Sequence, residues 1–470
     1  MLRLQRAELR DSWTAWLGVS LAFIVINASL TITMITYWTG HVAIRDGRLE
    51  YLQSAYYTIT QMLVGLCILF VAIPVIHSAT GLVVESRRGS LARLALAGAT
   101  PGQVSATITV QLAVVSLACG LIGAVIGVLS IDGWFAFTTY GNRDETMFEV
   151  VDPVVEAGPI LATCLACMLV AVVAGARQAR AASLIPPVEA LRLAQAAPRK
   201  VRLGAGGWVK LILLGLLIAA SFVSVPIQLE HRYKETISNL MILGFLQIFF
   251  WSALLAVVAP VLVRPVTRWW TRLIPSMSPA WQLARSTVSA RADRLYKSVV
   301  PVMFTFAIGV GSMVLGDSGI GAMVAYLGDA TIKVPTWDSH LYLFGLPLLI
   351  AFMSGVGVLI MMSKQRDAEL ALVAIVGATP AQRVAVPAFE ALIITTTGLL
   401  LSLIAVMPSL IFQAYSLRAA ELGWSLVLSW PLILGVFAGG FLLTLLSTVL
   451  PTLPALRKSE PRVIARLVAE

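Results

Sequence analysis

The sequence contains few charged residues. Its 470 residues include 34 Lys and Arg and 24 Asp and Glu, which make up 12% of the chain. A soluble domain carries about 25% charged residues, so this chain has too few to cover the surface of a soluble globule. The shortage of charge excludes a soluble enzyme, and the 58% of hydrophobic residues excludes a disordered or fibrous chain. The composition indicates an integral membrane protein.

Patterns for catalysis, metal binding and nucleotide binding are also missing. We find no GxxxxGK[ST] loop, no HExxH motif and no Ser/His/Asp set. Cys164 and Cys167 have CxxC spacing, but they lie in an apolar run where a thiolate is costly, so we interpret them as helix-packing residues. His41, His231 and His340 fall in predicted outer loops, far apart in sequence. We therefore expect no catalytic, cofactor-binding or metal-binding residue in this chain.

Apolar runs are what the sequence has in abundance. A membrane-spanning helix needs about 20 apolar residues. Ten runs qualify, with approximate limits 13–38, 55–78, 104–130, 157–177, 208–225, 238–263, 298–315, 341–363, 384–412 and 428–452. We therefore predict an all-α integral membrane protein with ten transmembrane helices.

The positively charged residues are unequally distributed between the loops on the two sides of the membrane. An even number of spans puts both termini on one side, and the loops on that side hold 27 of the 34 Lys and Arg. Because cytoplasmic loops carry an excess of positive charge, both termini are predicted to face the cytoplasm from a plasma membrane. These loops also account for the net charge of +10. No arginine-rich tail or aromatic-interleaved basic patch indicates nucleic acid, so membrane lipid is the expected partner of the surface.

The predicted outer loops are short. The two longest, 131–156 and 316–340, cannot bury a core of their own, so no folded ectodomain is expected. Asp317 lies at the outer end of its span, where we expect it to be hydrated.

A segment of the sequence is repeated. Residues 87–101 read RRGSLARLALAGATP and residues 366–380 read RDAELALVAIVGATP, with eight of fifteen positions identical at an offset of 279. Both copies leave the second span of a four-span block and enter the third. Gly followed by Pro is a helix-stop signal, so each copy is predicted to be a helical continuation of its span followed by a turn.

The repeat extends to whole blocks. Spans 1–4 correspond to spans 7–10, and spans 5 and 6 lie between them as a linker pair. This predicts a 4+2+4 arrangement with units at 1–195, 196–275 and 276–470. Both blocks enter from the same side, so the two four-helix repeats are parallel, related by an axis along the membrane normal. Each block opens with a basic amphipathic stretch, Leu2 to Asp11 and Trp281 to Lys297.

The role of the repeated segment has two interpretations. One copy alone would suit an ordinary helical hairpin with interfacial charges. Two copies with the same Gly-Ala-Thr-Pro ending suggest instead two identical docking elements, which would bind two identical partners or partner subunits on the inner face.

The sequences of these segments resemble those of a known family. ESRRGSLARLALAGATPGQV and SKQRDAELALVAIVGATPAQRV, together with the tail PPVEALRLA, are similar to the FtsX/MacB-type permeases of ABC transporters. The resemblance covers nearly the whole chain as two FtsX-like units and a linker pair. The family often carries a large ectodomain after the first span of a unit, and this sequence lacks one.

The resemblance implies a partner and a docking site. The partner would be a cytoplasmic ABC ATPase, in two copies per permease chain, which would hold ATP and Mg. Its groove would receive the segments 87–103 and 366–382. By position, the docking residues are Arg87, Arg93, Ala99, Thr100, Pro101, Arg366, Glu369, Ala378, Thr379 and Pro380. Glu369 fits the acidic residue usual in the family whereas Ser90 does not, so the two docking sites are expected to be unequal.

Two polar residues are predicted inside the membrane at equivalent positions. Glu390 lies in span 9, and its counterpart at offset 279 is Gln111 in span 3. A buried carboxylate is costly in a membrane, so Glu390 must face the bundle or a cavity. It serves either as a proton or substrate contact, or as a structural or coupling residue near the cytoplasmic end. In span 3, Gly120, Gly123 and Gly127 have the spacing of a close helix contact.

The predicted function is the membrane-spanning subunit of an ATP-driven ABC exporter. Few polar residues line the spans, so the expected cargo is amphipathic or hydrophobic, such as an antimicrobial peptide, a lipid-like molecule or a drug, moved outward from the membrane. Two alternatives stay open: a mechanotransmitting signalling subunit that acts on an extracellular partner, and an ion-driven secondary carrier. In each case the chain itself is not an enzyme.

Overall fold

In the computed structural model the described residues are mainly helical. The structure describes residues 13–49, 56–86, 94, 96–141, 151–183, 204–231, 236–275, 278–290, 292–327, 337–375 and 377–449. Within these residues the helices are α1 Trp13–Arg45, α2 Gln61–Ser86, α3 Pro101–Leu129, α4 Ile131–Gly141, α5 Ala157–Ser183, α6 Ala205–His231, α7 Thr236–Leu273, α8 Pro279–Ala290, α9 Ala292–Leu327, α10 Trp337–Ile375, α11 Pro380–Ala419 and α12 Trp430–Val449. A single π-helical turn, Tyr56–Thr60, leads into α2.

Most of these helices are long and apolar enough to cross a membrane. In the described part of the chain nine qualify, namely α1, α2, α3, α5, α6, α7, α9, α10 and α11. They coincide with the first nine predicted spans. The shorter apolar helix Ile433–Val449, within α12, lies where the tenth span was predicted. The prediction of an all-helical membrane protein is therefore confirmed.

The outward faces of these helices are apolar. Leucine, isoleucine and valine side chains are exposed along one face of α3, α5, α6 and α12, among them Val125, Leu169, Ile212, Leu216 and Leu434. A water-soluble protein does not leave contiguous apolar faces of this size exposed. These faces therefore contact lipid.

Four-helix groups occur twice, with the same packing. The first group comprises α1, α2, α3 and α5, and the second comprises α9, α10, α11 and α12. In each group the first helix packs against the other three, and the fourth also packs against the second and third. The internal repeat found in the sequence is therefore a repeat of tertiary structure.

The two groups contact each other directly and also through α7, which belongs to neither group. α1 and α2 pack against α10, and α7 packs against α9, α11 and α2. One hydrophobic core runs through both groups and α7, with Phe23, Ile68, Phe249, Phe306 and Ile393 among its fully buried members. α6 lies outside this core and packs on α7 and α11. The predicted linker pair thus consists of one helix inside the bundle and one at its edge.

Glycines allow two pairs of helices to approach closely. A Cβ at Gly123 of α3 would lie 2.4 Å from the Ile24 carbonyl oxygen of α1, and one at Gly127 would lie 2.9 Å from the Ala28 carbonyl oxygen. The predicted helix contact in span 3 is confirmed, since only a residue without a side chain fits there. Gly18 of α1 meets Gly357 of α10 in the same way, and this crossing joins the two groups.

The two ends of the bundle differ in charge. Arg177, Arg264, Arg268, Arg272 and Arg383 lie at one end, which we call the arginine-rich end. The opposite end has fewer positive charges in the described residues and contains several aromatic and polar contacts.

At the opposite end, the structure differs from the expectations about the two predicted loops, Asp317 and His340. Helix α4 lies within the predicted loop 131–156, and α9 extends to Leu327. Asp317 is therefore inside a helix and is 2% exposed, not hydrated, while His340 lies buried in α10 and not in an outer loop. The Ser429 hydroxyl donates to Asp317 Oδ2, and His340 Nε2 lies 4.0 Å from Oδ1. These polar partners replace water, so the helices can continue past the predicted span limits.

Replacing Asp317 with alanine is expected to lower the free energy of unfolding by about 1–3 kcal/mol, because the half-buried Ser429 hydroxyl loses its acceptor inside the bundle. Thermal unfolding in detergent, followed by tryptophan fluorescence, measures the change. Asp46→Ala is the control, since the ion pairs of Asp46 with Arg45 and Arg48 are exposed. These guanidinium groups, chiefly that of Arg48, lower the pKa of Asp46 without making the pair a source of stability. Equal losses in both variants would contradict a structural role for the buried carboxylate.

Candidate functional site

Two turns at the arginine-rich end have the same geometry. Gly98 and Gly377 have φ values of 91° and 96°, a conformation that residues with a Cβ rarely adopt. Thr100 and Thr379 follow in extended conformation, with φ/ψ of −70°/153° and −65°/154°. The repeated sequence Gly-Ala-Thr-Pro therefore forms one structure twice.

Each turn ends in a capping box. The Gln103 backbone N–H donates to Thr100 Oγ1 at 3.4 Å, and the Thr100 N–H donates to Gln103 Oε1 at 3.0 Å. Thr379 and Gln382 form the same two bonds at 3.3 and 3.0 Å. Proline occupies the first helical position, where no N–H is needed. Since an N-cap contributes about 1 kcal/mol, each turn holds the start of α3 or α11 in one orientation.

Exposed side chains mark the tip of each turn. Leu96 is 58% exposed and its counterpart at offset 279, Ile375, is 61% exposed. The glycine, threonine and proline of each turn are also exposed, while Ala99 and Ala378 are half-buried. Two equivalent apolar side chains that face away from the bundle at the same place are typical of a docking surface. The docking prediction did not include these two residues, although the repeat itself pairs them.

The described residues contain only part of the predicted docking set. Ala99, Thr100, Pro101, Ala378, Thr379 and Pro380 form the two turns. Arg87 and Arg93 lie outside the described residues, as does Ser90. Arg366 and Glu369 lie on α10, which continues as a helix through the charged segment 364–369 to Ile375, but their side chains lie outside what the structure describes.

The second turn connects directly to the core. It opens α11, and Phe389 of α11 packs edge-on against Trp281 of α8, with ring centroids 5.5 Å apart. Trp281 also contacts Trp270 of α7 at 6.2 Å. Trp270 Nε1 in turn donates to Thr397 Oγ1 of α11 at 3.0 Å. Packed aromatic rings therefore connect α11 with α7 and α8.

Helix α8 forms from the predicted amphipathic stretch that opens the second block. Ala280, Trp281, Ala284 and Val288 are buried along one face, which packs against α11. The corresponding stretch of the first block, Leu2 to Asp11, lies outside the described residues.

Comparison with protein families finds the same sequence model twice. The C-terminal domain of FtsX-like permeases matches residues 62–187 and again residues 343–459, together just over half of the chain. The chain belongs to the FtsX-like permease family. Each matched segment contains one of the two capped turns, so the repeat, the turns and the family agree. Comparison with curated proteins gives no match over this chain.

The family makes this chain a permease of the ABC-transporter type, a membrane component of transport. Such permeases generally work with a cytoplasmic ABC ATPase. In the described residues, no three His, Cys, Asp or Glu side chains lie close enough to hold a metal ion. All four cysteines are buried and free, and the Cys164 thiol donates to the Gly120 carbonyl at 3.5 Å, which makes it part of the α3–α5 packing.

Gln111 and Glu390 are both buried in the permease. Gln111 of α3 is 2% exposed and Glu390 of α11 is 6% exposed, and neither is without a partner. Seven residues separate Glu390 from Thr397, about 10 Å along the helix. Because Thr397 lies level with Trp270, Glu390 is nearer to the arginine-rich end than to the bundle centre. This position favours a structural or coupling role for Glu390 over a substrate contact. That role remains a prediction.

The offset of 279 also relates two hydroxyl residues at the opposite end, Thr39 and Ser318, which accept similar backbone hydrogen bonds. The Val154 N–H donates to Thr39 Oγ1 at 2.9 Å in the first group, and the Val427 N–H donates to Ser318 Oγ at 3.0 Å in the second. In each case a hydroxyl on the first helix holds the segment that precedes the fourth. Sequence comparison alone missed this pair, because neither Thr39 nor Ser318 lies in a conspicuous motif.

Proposed function

We propose that this permease is the membrane subunit of an ATP-driven exporter and that the two capped turns dock two ATPase subunits. The observation that carries the proposal is the duplicated turn. Gly98–Pro101 and Gly377–Pro380 have the same backbone geometry and exposure, each next to an exposed apolar side chain. A partner with two equal grooves would bind both.

The proposed orientation places the arginine-rich end in the cytoplasm. The excess of positive charge at that end supports it, and it puts both termini inside the cell and the chain in the plasma membrane. Taking α12 as the tenth span completes a 4+2+4 arrangement, with units 1–195, 196–275 and 276–470. The turns then lie where a cytoplasmic protein reaches them.

ATP hydrolysis would take place in the partner ATPase. Two ATPase subunits would bind ATP and Mg, since this chain offers no phosphate-binding loop. The docking surface would comprise the turns, Leu96 and Ile375, together with Arg87, Arg93, Arg366 and Glu369 of the preceding segments. Glu369 against Ser90 makes the second site different from the first.

Movement would pass from the turns to the bundle. Closing of the ATPase dimer on ATP would move α10 and the start of α11 together, because a four-residue turn joins them. The contacts of Trp281 with Phe389 and Trp270 would carry the motion to α7 and α8. The two groups would then rock about the crossing of α1 and α10. Rigid helices with a glycine contact allow such rocking without loss of packing.

The proposed cargo is amphipathic or hydrophobic and leaves the membrane outward. The lipid-facing helices carry apolar side chains, which suit a cargo of this kind. Such a cargo would be an antimicrobial peptide, a lipid-like molecule or a drug.

A pull-down tests the proposal. The tagged permease is purified from its native membranes in mild detergent, and co-purifying proteins are identified by mass spectrometry. We expect stoichiometric recovery of a soluble protein with a P-loop. Recovery of the permease alone under several detergents would count against docking. Transport in liposomes that follows an ion gradient without any ATPase would establish the carrier alternative, for which the buried Asp317 and His340 would be the candidate ion site.

A further inference from the structure

Three arginines form a line along one face of α7, close to its last residue. Arg264, Arg268 and Arg272 are four residues apart, so they extend over about 12 Å of the helix and turn only slowly around it. Together with Pro265 and Trp269 they line a groove of about 640 Å³. Arg264 is half-buried, the other two arginines are exposed, and Trp269 is 61% exposed. We call the three arginines the arginine face.

The other side of the same segment belongs to the bundle. Val263, Thr267 and Trp270 are buried there, and Trp270 Nε1 donates to Thr397 of α11 at 3.0 Å. The arginine face therefore points away from the protein at a level where α7 is still packed against other helices.

This level is that of the lipid head groups. The apolar run 238–263 ends just before Arg264, and about 20 residues of a helix are enough to cross the hydrocarbon layer. The spanning helix continues without a break to Leu273. A head-group region about 5–8 Å thick follows the hydrocarbon on each side of a bilayer. The arginine face thus lies beside the phosphate groups of the adjoining leaflet.

The charge of the arginine face is not neutralised by the part of the chain that the structure describes. No carboxylate there lies within ion-pair distance of Arg264, Arg268 or Arg272. The planar fork of a guanidinium group fits two oxygens of one phosphate. Three such groups within about 12 Å favour a head group with a net negative charge, since the amine of a zwitterionic head would oppose them.

We propose that the arginine face binds the phosphate head group of an anionic phospholipid, in the leaflet at the arginine-rich end. The guanidinium groups hold the phosphate oxygens, and the Trp269 ring lies against the glycerol, at the depth where tryptophan is enriched in membrane proteins. Trp270 follows directly and joins α7 to α11, so bound lipid also holds this end of α7 against the bundle. Binding requires neither an ATPase nor transport, so the site stands independently of the proposed function.

Native mass spectrometry of the full-length permease tests the site. The permease in detergent is titrated with dioleoyl phosphatidylglycerol, and the dissociation constant of the first bound lipid is measured. Dioleoyl phosphatidylcholine, which has the same chains and no net charge, is the comparison lipid. We expect phosphatidylglycerol to bind at least tenfold more tightly, because each arginine near an anionic head contributes about fivefold in affinity.

Two double variants locate the binding. Arg268→Gln/Arg272→Gln removes two exposed charges of the arginine face and should weaken phosphatidylglycerol binding about 25-fold. Arg177→Gln/Arg285→Gln is the matched control, since it removes the same charge at the same end from α5 and α8, outside the groove. The control should bind as the native protein does. An unchanged melting temperature without added lipid checks that both variants fold. Added phosphatidylglycerol should raise the melting temperature of the native protein and of the control only.

Three results would overturn the proposal. Equal weakening in the two double variants would mean a general effect of charge and not a site. Displacement of the lipid by millimolar glycerol 3-phosphate, which has the phosphate but no chains, would assign the arginine face to a soluble phosphate compound. Unchanged lipid binding in Arg268→Gln/Arg272→Gln, with loss of a co-purified ATPase, would assign it to the partner protein.

Discussion

Replacing Leu96 and Ile375 together with glutamate is expected to abolish recovery of the ATPase with the permease. Each side chain is more than half exposed at the tip of a capped turn, so the bundle itself should fold unchanged. In a docked complex each would be buried, and loss of one apolar anchor costs about 2 kcal/mol, or roughly thirtyfold in affinity. Pull-down from native membranes, with the ATPase quantified by mass spectrometry, measures the effect.

Leu273→Glu serves as the control for this experiment. Leu273 is 68% exposed at the same end of the bundle, on α7, but belongs to neither turn. It should leave ATPase recovery unchanged. The single variants Leu96→Glu and Ile375→Glu are a further test. Because the docking sites are expected to be unequal, the two should lower ATPase recovery to different extents. Stoichiometric ATPase in the double variant would show that the turns are not the docking surface.

Replacing Gly18 or Gly357 with leucine is expected to prevent the two groups from packing together. A Cβ at Gly18 would lie 2.2 Å from the Gly357 carbonyl oxygen, and one at Gly357 would lie 2.5 Å from the Gly18 carbonyl oxygen. The obstructing atoms belong to the backbone, so no side-chain rotation relieves the overlap and α1 must separate from α10. Overpacking costs about 1–3 kcal/mol where side chains can adjust, and more is expected here.

Size-exclusion chromatography of fluorescently tagged permease, with a heating step before injection, measures this loss. Gly18→Ala should lower the melting temperature, and Gly18→Leu should eliminate the monodisperse peak. Gly215→Leu is the matched control, because a Cβ there meets no atom within 4 Å. A native melting temperature in Gly18→Leu would mean that α1 and α10 do not depend on this crossing.

Features that depend on short stretches of chain were predictable. A hydrocarbon layer about 30 Å thick demands an apolar run of about 20 residues, so nine predicted spans coincide with apolar helices of the described chain. Gly-Ala-Thr-Pro predicted a helix stop followed by a turn, and the structure adds the left-handed glycine and the threonine cap. The limits of the spans were less accurate: α11 begins at Pro380 and ends at Ala419, because hydropathy locates the hydrocarbon layer and not the ends of the helix.

Features that depend on which helices are neighbours were not predictable. Asp317 is adjacent to polar residues that lie 23 and 112 positions away, His340 and Ser429, and its sequence neighbourhood alone suggested contact with water. Leu96 and Ile375 look like core residues in the sequence, since an apolar side chain at helical spacing usually faces inward. Their exposure became evident only when the turn was placed at the end of the bundle.

The sequence by itself determined that this protein is a helical membrane protein with an internal repeat and two turns of the same sequence, because composition, run length and local turn chemistry act within a few residues. It also supported the family, through the repeated segment. Only the tertiary structure decided that α1 crosses α10 at two glycines and that α7 joins the common core. Each of these depends on the distance between helices far apart in the chain, which packing decides and local pattern does not.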